Sequence, residues 1–273
     1  HVYGFVCSLL WGWSFGACVA LGRGMRHMMD DPAFYKPTVA TFVPQMAAFL
    51  SVHGLLNKEL RLILIGAGDC SDEVLNGIKS KGIRVAFGYG MTETSSGVAL
   101  SLGDDPRAMT VCPEFDVKLA EDGEILIHAP STLMKGYLSE EGMVEPELEE
   151  GYFASGDLGS FDEGGRLHII GRKKDILVLS DGTKIYCPEY EASLRNVIGN
   201  LDFAVFQDKS GKIDLAIGGT PRSEKIEDAV WRFNLSLSRG QQINKVYFVD
   251  APLPKTATGK VRRYAIPDSI PKE

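Results

Sequence analysis

The sequence predicts an α/β fold with a mostly parallel sheet and a small antiparallel part, followed by a smaller α+β domain. A short apolar run at residues 62–65 ends in Gly66-Ala67-Gly68, a pattern typical of a buried parallel strand. Strands with period-two alternation follow Pro113, and apolar strands alternate with helical segments beyond residue 175. With 44% hydrophobic and 24% charged residues among 273, the composition excludes disordered and fibrous classes.

Residues 61–87 predict a strand, a glycine turn, a helix and a second strand. Ser71 or Asp72 can cap this helix, because short polar side chains accept hydrogen bonds from the first free amides. A right-handed crossover would bring residues 66–69 and 88–94 to the same carboxyl edge of one sheet. Open α/β sheets bind their ligands at such an edge.

Two hairpins are predicted after this α/β part. Residues 117–119 and 124–127 are joined through Asp122-Gly123, a dipeptide that favours a tight turn. Residues 156–161 and 166–170 flank a four-residue turn rich in glycine and acid. This part therefore predicts a small antiparallel subdomain.

A basic cluster at residues 172–174 marks a predicted boundary, beyond which the chain predicts a compact α+β unit. Its predicted strands are residues 176–179, 203–206, 213–217 and 246–249. Its predicted helices are residues 189–196 and 225–237.

Charge and cysteine content limit the partners. With 36 acidic and 29 basic residues the net charge is −7, so a broad basic surface for nucleic acid or anionic lipid is not expected. Five cysteines with no C-x-x-C spacing fit a reduced, cytoplasmic chain better than a disulfide framework or a zinc site. They are Cys7, Cys18, Cys70, Cys112 and Cys187.

Residues 2–22 carry no charge and are long enough to span a bilayer. Glycines at 4, 12, 16 and 22 and the absence of a basic region before the run favour a buried helix and strand instead. A membrane span and a processed signal stay open as alternatives.

Residues 88–94 form the densest candidate site. Tyr89 could stack on a purine, and the flanking glycines would let the backbone approach phosphate. Thr92 could donate to a phosphoryl oxygen, and Glu93 offers the hard oxygen that Mg²⁺ requires. The alternative is a turn after a strand, in which Thr92 caps the following segment.

Three further motifs have both a functional and a structural interpretation. Asp157 could accept ribose hydroxyls, although a lone carboxylate beside glycine in a hairpin is more often a turn residue. The charged run at 171–175 could hold ribose or phosphate, or be a solvated surface. Residues 254–260 would by default be a flexible basic tail.

Taken together and in order, these motifs resemble the AMP-forming acyl-CoA synthetases of the adenylate-forming superfamily, which includes luciferases and nonribosomal peptide adenylation domains. Residues 171–191 most resemble the long-chain fatty acid branch. The matching motifs are Gly-Ala-Gly at 66–68, Gly-Tyr-Gly-Met-Thr-Glu at 88–93, Ser-Gly-Asp-Leu at 155–158, Gly-Arg-Lys-Lys-Asp at 171–175 and Thr-x-Thr-Gly-Lys at 256–260.

The resemblance implies a nucleotide site in which Tyr89 stacks on adenine, Gly68 and Asp69 line the adenine pocket, and Asp157 binds ribose with support from Arg172. Thr92 and Glu93 would act catalytically on phosphate, with Glu93 as the Mg²⁺ ligand. The complete nucleotide-binding set implied is Gly68, Asp69, Gly88, Tyr89, Gly90, Met91, Thr92, Asp157 and Arg172.

The resemblance also implies roles outside the nucleotide site. Lys260 would be the catalytic lysine between the acyl carboxylate and the α-phosphate, and Lys174 the hinge. Gly182 and Lys184 would lie near the pantetheine path used for thiolation, and His1 would open the acyl-pocket segment. Residues 2–22 would then form core and pocket wall.

By the same resemblance, residues 1–171 are the later part of a large adenylation domain, with the β subdomain at about 110–171. Residues 172–175 would be the hinge and residues 176–273 a mobile lid. The implied activity is that of an acid-thiol ligase that uses ATP, Mg²⁺, coenzyme A and a carboxylic acid. Among carboxylic acids, fatty acids are the favoured substrates. No nucleic acid and no transmembrane segment are expected, while peripheral membrane contact stays open.

The sequence also departs from this family. The phosphate loop rich in Ser, Thr and Gly is missing, family members are about twice as long, and Cys187-Pro188 alters the usual Pro-Glu order. Two alternatives therefore stay open. One is adenylation with transfer to a carrier protein. The other is a noncatalytic AMP- or coenzyme A-binding fragment, or half of a split enzyme whose partner chain carries the N-terminal half.

Overall fold

The computed structural model describes residues 2–255 and 261–270. The chain divides into two compact units, His1–Ile170 and Gly171–Glu273. The division falls beside the basic cluster at residues 172–174.

In the prediction of a buried helix and strand for residues 2–22, the helix is confirmed, whereas the burial and the strand are wrong. A π-helix, Gly4–Leu10, runs into helix α1, Trp11–Ser14, and neither contains a buried residue. Irregular backbone follows, in which Phe15 exposes 74% of its surface. Gly16 has a φ of 69° and ends the helix, and the glycine-rich composition disfavours a strand. Within residues 2–255 and 261–270, no helix has both the length and the apolar character needed to cross a membrane.

A ten-stranded sheet organises the first unit, in the order β1-β2-β3-β4-β5-β12-β11-β7-β6 with β10 beside β11. The pairs β1-β2 and β2-β3 are parallel. From β3 onward, antiparallel pairs continue the same sheet. The α/β class is thus confirmed, with the parallel part on one side. The strands are β1 Val39–Phe42, β2 Leu62–Gly66, β3 Arg84–Met91, β4 Ser96–Ser101, β5 Met109–Val111, β6 Asp116–Leu119, β7 Glu124–His128, β8 Tyr137–Ser139, β9 Gly142–Val144, β10 Leu148–Glu149, β11 Tyr152–Phe161 and β12 Leu167–Arg172.

Helices α2, Asp31–Tyr35, α3, Pro44–Val52, and α4, Asp72–Lys79, accompany the parallel strands. The predicted cap of α4 is confirmed, because Ser71 Oγ accepts from the Val74 amide at 3.4 Å. The buried face of α4 joins the core cluster of β2 and β3.

Strand β3 extends four residues beyond the predicted end at Phe87. Its last residues pair with β2 on one side, at Gly88, and with β4 on the other, as far as Met91. The glycine-rich segment that predicted a loop is therefore strand, since two neighbouring strands supply its hydrogen bonds.

Both predicted hairpins are present. Strands β6 and β7 pair antiparallel with Val117 opposite Ile127, and β11 lies beside β12 across a turn closed by the Asp162 amide and the Arg166 carbonyl at 3.0 Å. The sequence favoured a turn position for Asp157. The residue lies inside strand β11 instead.

The second unit contains the predicted strands and helices around a core of its own. Strand β16 lies between β15, to which it is antiparallel, and β17, to which it is parallel. All six residues of β16 are buried. The elements are β13 Ile176–Val178, β14 Lys184–Tyr186, β15 Asp202–Gln207, β16 Ile213–Gly218, β17 Ile243–Val249, α5 Cys187–Ile198, α6 Glu224–Asn234 and α7 Ile266–Ser269.

Candidate functional site

The carboxyl ends of β2 and β3 lie side by side, as the sequence predicts. Gly66 and Gly88 are partners in the parallel register, so the segments that follow them start from the same edge of the sheet. Tyr3 covers Gly66, where an added Cβ would lie 2.5 Å from the Tyr3 ring. The Tyr3 hydroxyl donates to the Leu64 carbonyl at 2.8 Å, and burial raises its pKa above the ordinary value. No local pattern predicted this cover.

The loop that follows β2 projects from this edge. Ala67 has a left-handed φ of 66°, and Gly68 and Asp69 are exposed. The Asp69 carboxylate pairs with Arg107 at 3.0 Å and also accepts from the Cys70 amide at 2.8 Å. The Asp69 carboxylate is therefore already bound by these two contacts. The predicted contact with adenine would have to come from the exposed loop itself.

Gly90 is required by the contact between β3 and β4. A Cβ at this position would lie 1.8 Å from the Ser96 carbonyl oxygen, so only glycine fits. At Gly88 a Cβ would be 3.8 Å from its nearest neighbour, the Leu64 Cδ1 atom, which is an ordinary contact. The Met91 side chain is buried and joins the core cluster. Strand β3 carries four of the predicted nucleotide-binding residues, at positions 88–91. Among these four, Gly90 is the one that is exposed.

Tyr89 and Asp157, predicted separately, are in direct contact. The Tyr89 hydroxyl donates to Asp157 Oδ2 at 3.0 Å across 68 residues of chain. The two residues expose only 8% and 5% of their surfaces. The Asp157 amide donates to Ser155 Oγ at 3.0 Å, which fixes the strand around the carboxylate. The structure thus joins the aromatic and acidic residues of the predicted site in one buried contact.

Thr92 and Glu93 lie on a 3₁₀ turn that follows β3. Thr92 is exposed, and the interpretation that it caps this turn is wrong. Thr94 is the buried hydroxyl, since its Oγ1 donates to the Ser96 carbonyl at 3.1 Å and lies 3.4 Å from the Met91 amide. The sequence pattern gave no separate role to Thr94.

Tyr137 positions the Glu93 carboxylate. Its hydroxyl donates to Glu93 Oε1 at 3.1 Å, and partial burial together with this carboxylate raises the pKa of Tyr137. The Glu93 carbonyl accepts from the Met134 amide at 2.7 Å. The segment that contains Met134 and Tyr137 therefore holds both the backbone and the side chain of Glu93. Carboxylate and hydroxyl oxygens at Glu93 and Thr92 have the donor chemistry that Mg²⁺ prefers. In the part of the chain that the structure describes, no group of three His, Cys, Asp or Glu residues could hold a metal by itself.

The remaining predicted residues belong to the second unit or lie outside the described residues. Arg172 ends β12, and Lys174 lies on the next 3₁₀ turn. Gly182, with a φ of 83°, lies in the loop between β13 and β14, and Lys184 pairs with Val178 across that hairpin. All four residues are exposed. His1 and Lys260 lie outside the described residues.

A partly buried ion pair in the second unit was not predicted. Glu191 accepts from Arg263 Nη1 at 2.5 Å and Nη2 at 3.0 Å, and its Oε1 also accepts from the Val205 amide at 2.9 Å. Both charged side chains are only 14% exposed. Nearby, burial raises the pKa of the Cys187 thiol to about 12. The only signal in the sequence was that Glu191 follows the altered Cys187-Pro188 pair.

Parallel strands with glycine-bearing ends, a Thr-Glu turn and a buried Tyr–Asp contact belong to an α/β domain, a class that binds ligands at the carboxyl ends of its parallel strands. Comparison with known families agrees. The family described as AMP-binding enzyme matches residues 1–138 of the chain. The chain belongs to this family of AMP-binding enzymes.

Several relatives are acyl-CoA ligases. The 2-succinylbenzoate--CoA ligase of Listeria monocytogenes serotype 4b (strain F2365) is 31% identical, over 83% of this chain and 50% of that protein. The long-chain-fatty-acid--CoA ligase FadD15 of Mycobacterium bovis (strain ATCC BAA-935 / AF2122/97) is 28% identical, over 79% of this chain and 43% of that protein. The chain therefore spans about half the length of the curated relatives it matches.

A solved structure shows the same fold. O-succinylbenzoate coenzyme A synthetase (MenE) from Bacillus subtilis, in complex with ATP and magnesium ion, superimposes with a TM-score of 0.74 at 24% identity. The match covers 98% of this chain and 59% of that one. The likeness shows a shared fold.

Proposed function

We propose that this chain carries the adenosine-binding edge and the lid of an AMP-forming acyl-CoA ligase. The observation that supports this most directly is the Tyr89–Asp157 hydrogen bond of 3.0 Å beside the exposed segments after β2 and β3. Tyr89 would contact adenine and Asp157 the ribose hydroxyls, with Gly68 and Asp69 lining the base and Arg172 supporting the ribose. The other residues proposed to line the nucleotide are Gly88, Gly90, Met91 and Thr92.

The proposed reaction has two steps. A carboxylate oxygen of the acid attacks the α-phosphorus of ATP, the bond to pyrophosphate breaks, and an acyl-AMP forms. The coenzyme A thiol then loses its proton to solvent, and its sulfur attacks the acyl carbon, so that the bond to the phosphate oxygen breaks, AMP leaves and a thioester forms. Adenylation is needed because a free carboxylate is a poor electrophile, whereas AMP is a good leaving group.

Charge stabilisation is assigned to two residues of this chain. Lys260 would lie between the acyl carboxylate and the α-phosphate, where a fixed cation offsets the negative charge that builds during attack. Glu93, held by Tyr137, would be the protein ligand of Mg²⁺, which supplies positive charge to the phosphate oxygens. Thr92 would donate its hydroxyl to a phosphoryl oxygen.

The second unit is proposed to act as the lid, residues 176–273, with residues 172–175 as the hinge and Lys174 as its pivot. Gly182 and Lys184, on the β13–β14 hairpin, would border the pantetheine arm during thiolation. Residues 1–171 would be the later part of the adenylation domain, with its β subdomain at about 110–171, and His1 would contribute to the acyl pocket. Free thiols at all five cysteines fit the proposed cytoplasmic location.

The substrate class is a carboxylic acid, and two kinds are supported. The resemblance of residues 171–191 favours a long-chain fatty acid, and one relative is named for that substrate. Other relatives are named for 2-succinylbenzoate, an aromatic acid. Transfer to a carrier protein instead of coenzyme A is the remaining variant of the same chemistry.

A second candidate function is binding without turnover, or a half enzyme that needs a separate N-terminal half. The observation behind it is the lack of a phosphate loop in a chain that spans half of its relatives. Such a chain would bind AMP or coenzyme A stoichiometrically and would gain activity only when the other half is added.

Carboxylate-dependent exchange between ATP and pyrophosphate on the purified 273-residue chain tests the proposal. The acid panel runs from acetate to long-chain fatty acids and includes 2-succinylbenzoate, and Lys260→Ala is the control variant. We expect exchange that depends on one acid class and falls to background in Lys260→Ala. In that variant, thiolation of supplied acyl-AMP should survive better than adenylation.

Equal loss of both half-reactions in Lys260→Ala would count against the role of that lysine. No exchange with any acid, in a folded chain that still binds AMP, would favour the binding or half-enzyme candidate. No exchange and no AMP binding would overturn both candidates for this chain.

A further inference from the structure

Arg107 connects the loop after β2 to the short turn that precedes β5. Its Nε donates to both oxygens of Asp69, at 3.0 and 3.1 Å. Its Nη1 donates to Asp72 Oδ1 at 2.7 Å, and its Nη2 donates to the Cys70 carbonyl at 2.7 Å. One planar guanidinium therefore holds three of the four residues from 69 to 72.

Arg107 is itself fixed in place. Its amide donates to Asp105 Oδ1 at 2.9 Å, in a short turn before β5. The preceding carbonyl of Asp104 accepts from Lys79 Nζ at 3.2 Å, and Lys79 is the last residue of α4. The turn at 104–107 is thus tied to both ends of α4, since Arg107 contacts its first residue, Asp72.

The loop needs an external constraint of this kind. Ala67 has a left-handed φ of 66°, which costs energy for a residue other than glycine. Asp69 and Asp72 are both acidic and exposed, and without the guanidinium they would repel each other. The planar fork of arginine donates to several acceptors at fixed angles, which the ammonium of lysine does not.

We propose that Arg107 is the positioning residue of the base-binding loop: it holds residues 66–71 in the conformation that selects adenine. This inference rests on the proposed function, in which Gly68 and Asp69 line the base. Arg107 does not touch the nucleotide in this role, because its donors are directed to Asp69, Cys70 and Asp72. Losing it would weaken contacts to the base and leave those from Asp157 to the ribose intact.

Base selectivity tests this role, because a general loss of stability would weaken all nucleotides alike. The dissociation constants of AMP and GMP are measured for the wild-type chain, Arg107→Gln and Arg107→Lys. Arg166→Gln is the matched control, since Arg166 makes a guanidinium–carboxylate pair of 2.8 Å in the same unit and is 49% exposed against 39% for Arg107.

We expect Arg107→Gln to weaken AMP binding about fivefold, the upper range for an exposed ion pair, while GMP binding changes less. The selectivity for AMP over GMP then falls. Arg107→Lys should restore part of it, and Arg166→Gln should leave it unchanged. An unchanged selectivity in Arg107→Gln, with AMP still bound, would overturn the proposal.

Hydrogen exchange separates this proposal from the proposed function. If the wild-type chain does not bind AMP, the proposed function fails, and the amides of residues 67–71 still report on the loop. Faster exchange there in Arg107→Gln than in Arg166→Gln would support the positioning role. Equal exchange in the two variants would refute it. Arg107→Lys gives the same readout if Arg107→Gln does not fold.

Discussion

The two units place their ion pairs differently. In the first unit the ion pairs of the site loop are exposed, and the site edge depends on glycine and on left-handed backbone at Ala67. In the second unit the Glu191–Arg263 pair is 14% exposed on each side, and Asp214 is 1% exposed inside β16. Burial raises the pKa of the Asp214 carboxyl, although Asn244 and the Lys245 amide donate to it.

This difference indicates which kind of substitution each unit tolerates. The first unit relies on close backbone contacts at a ligand edge, so added side-chain volume is the main threat there. The second unit contains an ion pair that is only 14% exposed on each side, so the loss of a charged partner is the main threat there, because a buried charge without a partner is costly. Four predictions test this contrast, from the largest expected effect to the smallest.

Gly90→Ala should have the largest effect and should act on the first unit. Its Cβ would lie 1.8 Å from the Ser96 carbonyl, so β3 and β4 cannot keep their pairing. We expect a loss of about 4 kcal/mol or more in the free energy of unfolding of this unit. Thermal unfolding combined with hydrogen exchange, which reports each unit separately, measures it.

The matched control is Gly88→Ala, where the nearest atom to the new Cβ is 3.8 Å away. It should change the stability by less than about 1 kcal/mol. Similar losses for the two variants would show that the close contact at Gly90 does not decide this edge.

Glu191→Gln should act on the second unit. The amide can still accept from the Val205 amide, but Arg263 loses the carboxylate that it contacts through both terminal nitrogens and keeps the longer ion pair of 3.5 Å with Asp175. We expect a loss of about 3 kcal/mol in that unit, as for other buried pairs that lose one partner. Denaturant unfolding of Glu191→Gln and of its control, Glu227→Gln, measures it.

The control is Glu227→Gln, whose partner Arg222 is 78% exposed. It should cost less than about 1 kcal/mol, since exposed ion pairs contribute little. A cost for Glu227→Gln as large as that for Glu191→Gln would contradict the contrast between buried and exposed pairs.

Tyr89→Phe should have an intermediate effect. It removes a hydrogen bond of 3.0 Å to the Asp157 carboxylate, and both residues are buried. We expect the first unit to lose about 2 kcal/mol, the usual range for a hydrogen bond to a charged group. Thermal unfolding measures the change, and Tyr152→Phe, which loses an exposed bond to Asp116, is the control. A larger loss in the control would count against the buried contact.

The Cys187 thiol should have the smallest effect of the four near pH 9, and this effect should grow as the pH rises. Its pKa is about 12 in the folded protein and about 8.5 in the unfolded chain, so the folded state keeps its proton longer. Stability is therefore fully present below about pH 8.5 and decreases as the pH rises from there toward 12, by about 1 kcal/mol per unit.

The slope of stability against pH between 9 and 11 tests this expectation. Cys187→Ala should flatten the slope, whereas Cys18→Ala should not, because Cys18 is exposed. At pH 8 the folded chain should react with a thiol reagent at Cys18 and not at Cys187. Rapid modification of Cys187 in the folded state would contradict the assigned burial.

The sequence predicted elements whose signals are local. The strand at β2, the Ser71 cap and the turn at Asp122-Gly123 each follow from a few neighbouring residues, and the structure contains all three. The long β3 was missed because Gly88-Tyr89-Gly90 resembles a loop, and only its pairing with β4 makes it a strand.

The site was predicted residue by residue but not as a set of contacts. The motifs pointed to Tyr89 and to Asp157 separately, whereas their hydrogen bond depends on where β11 lies in the sheet. Arg107 carried no signal, because its partners are 35 to 38 residues away and form no spacing pattern. The burial of residues 2–22 was likewise predicted wrongly, since uncharged composition alone does not decide burial.

The strand order also constrains how the first unit can assemble during synthesis. Strands β11 and β12 are the last to be made, yet they lie between β5 and β7 in the finished sheet. Until residues 152–172 leave the ribosome, the β6–β7 hairpin has no neighbour, and β5 has an open edge that could pair with another chain. A fragment cut at residue 138, where the family match ends, would keep both edges open permanently. Such a fragment should aggregate, although it contains the Gly-Tyr-Gly-Met-Thr-Glu motif.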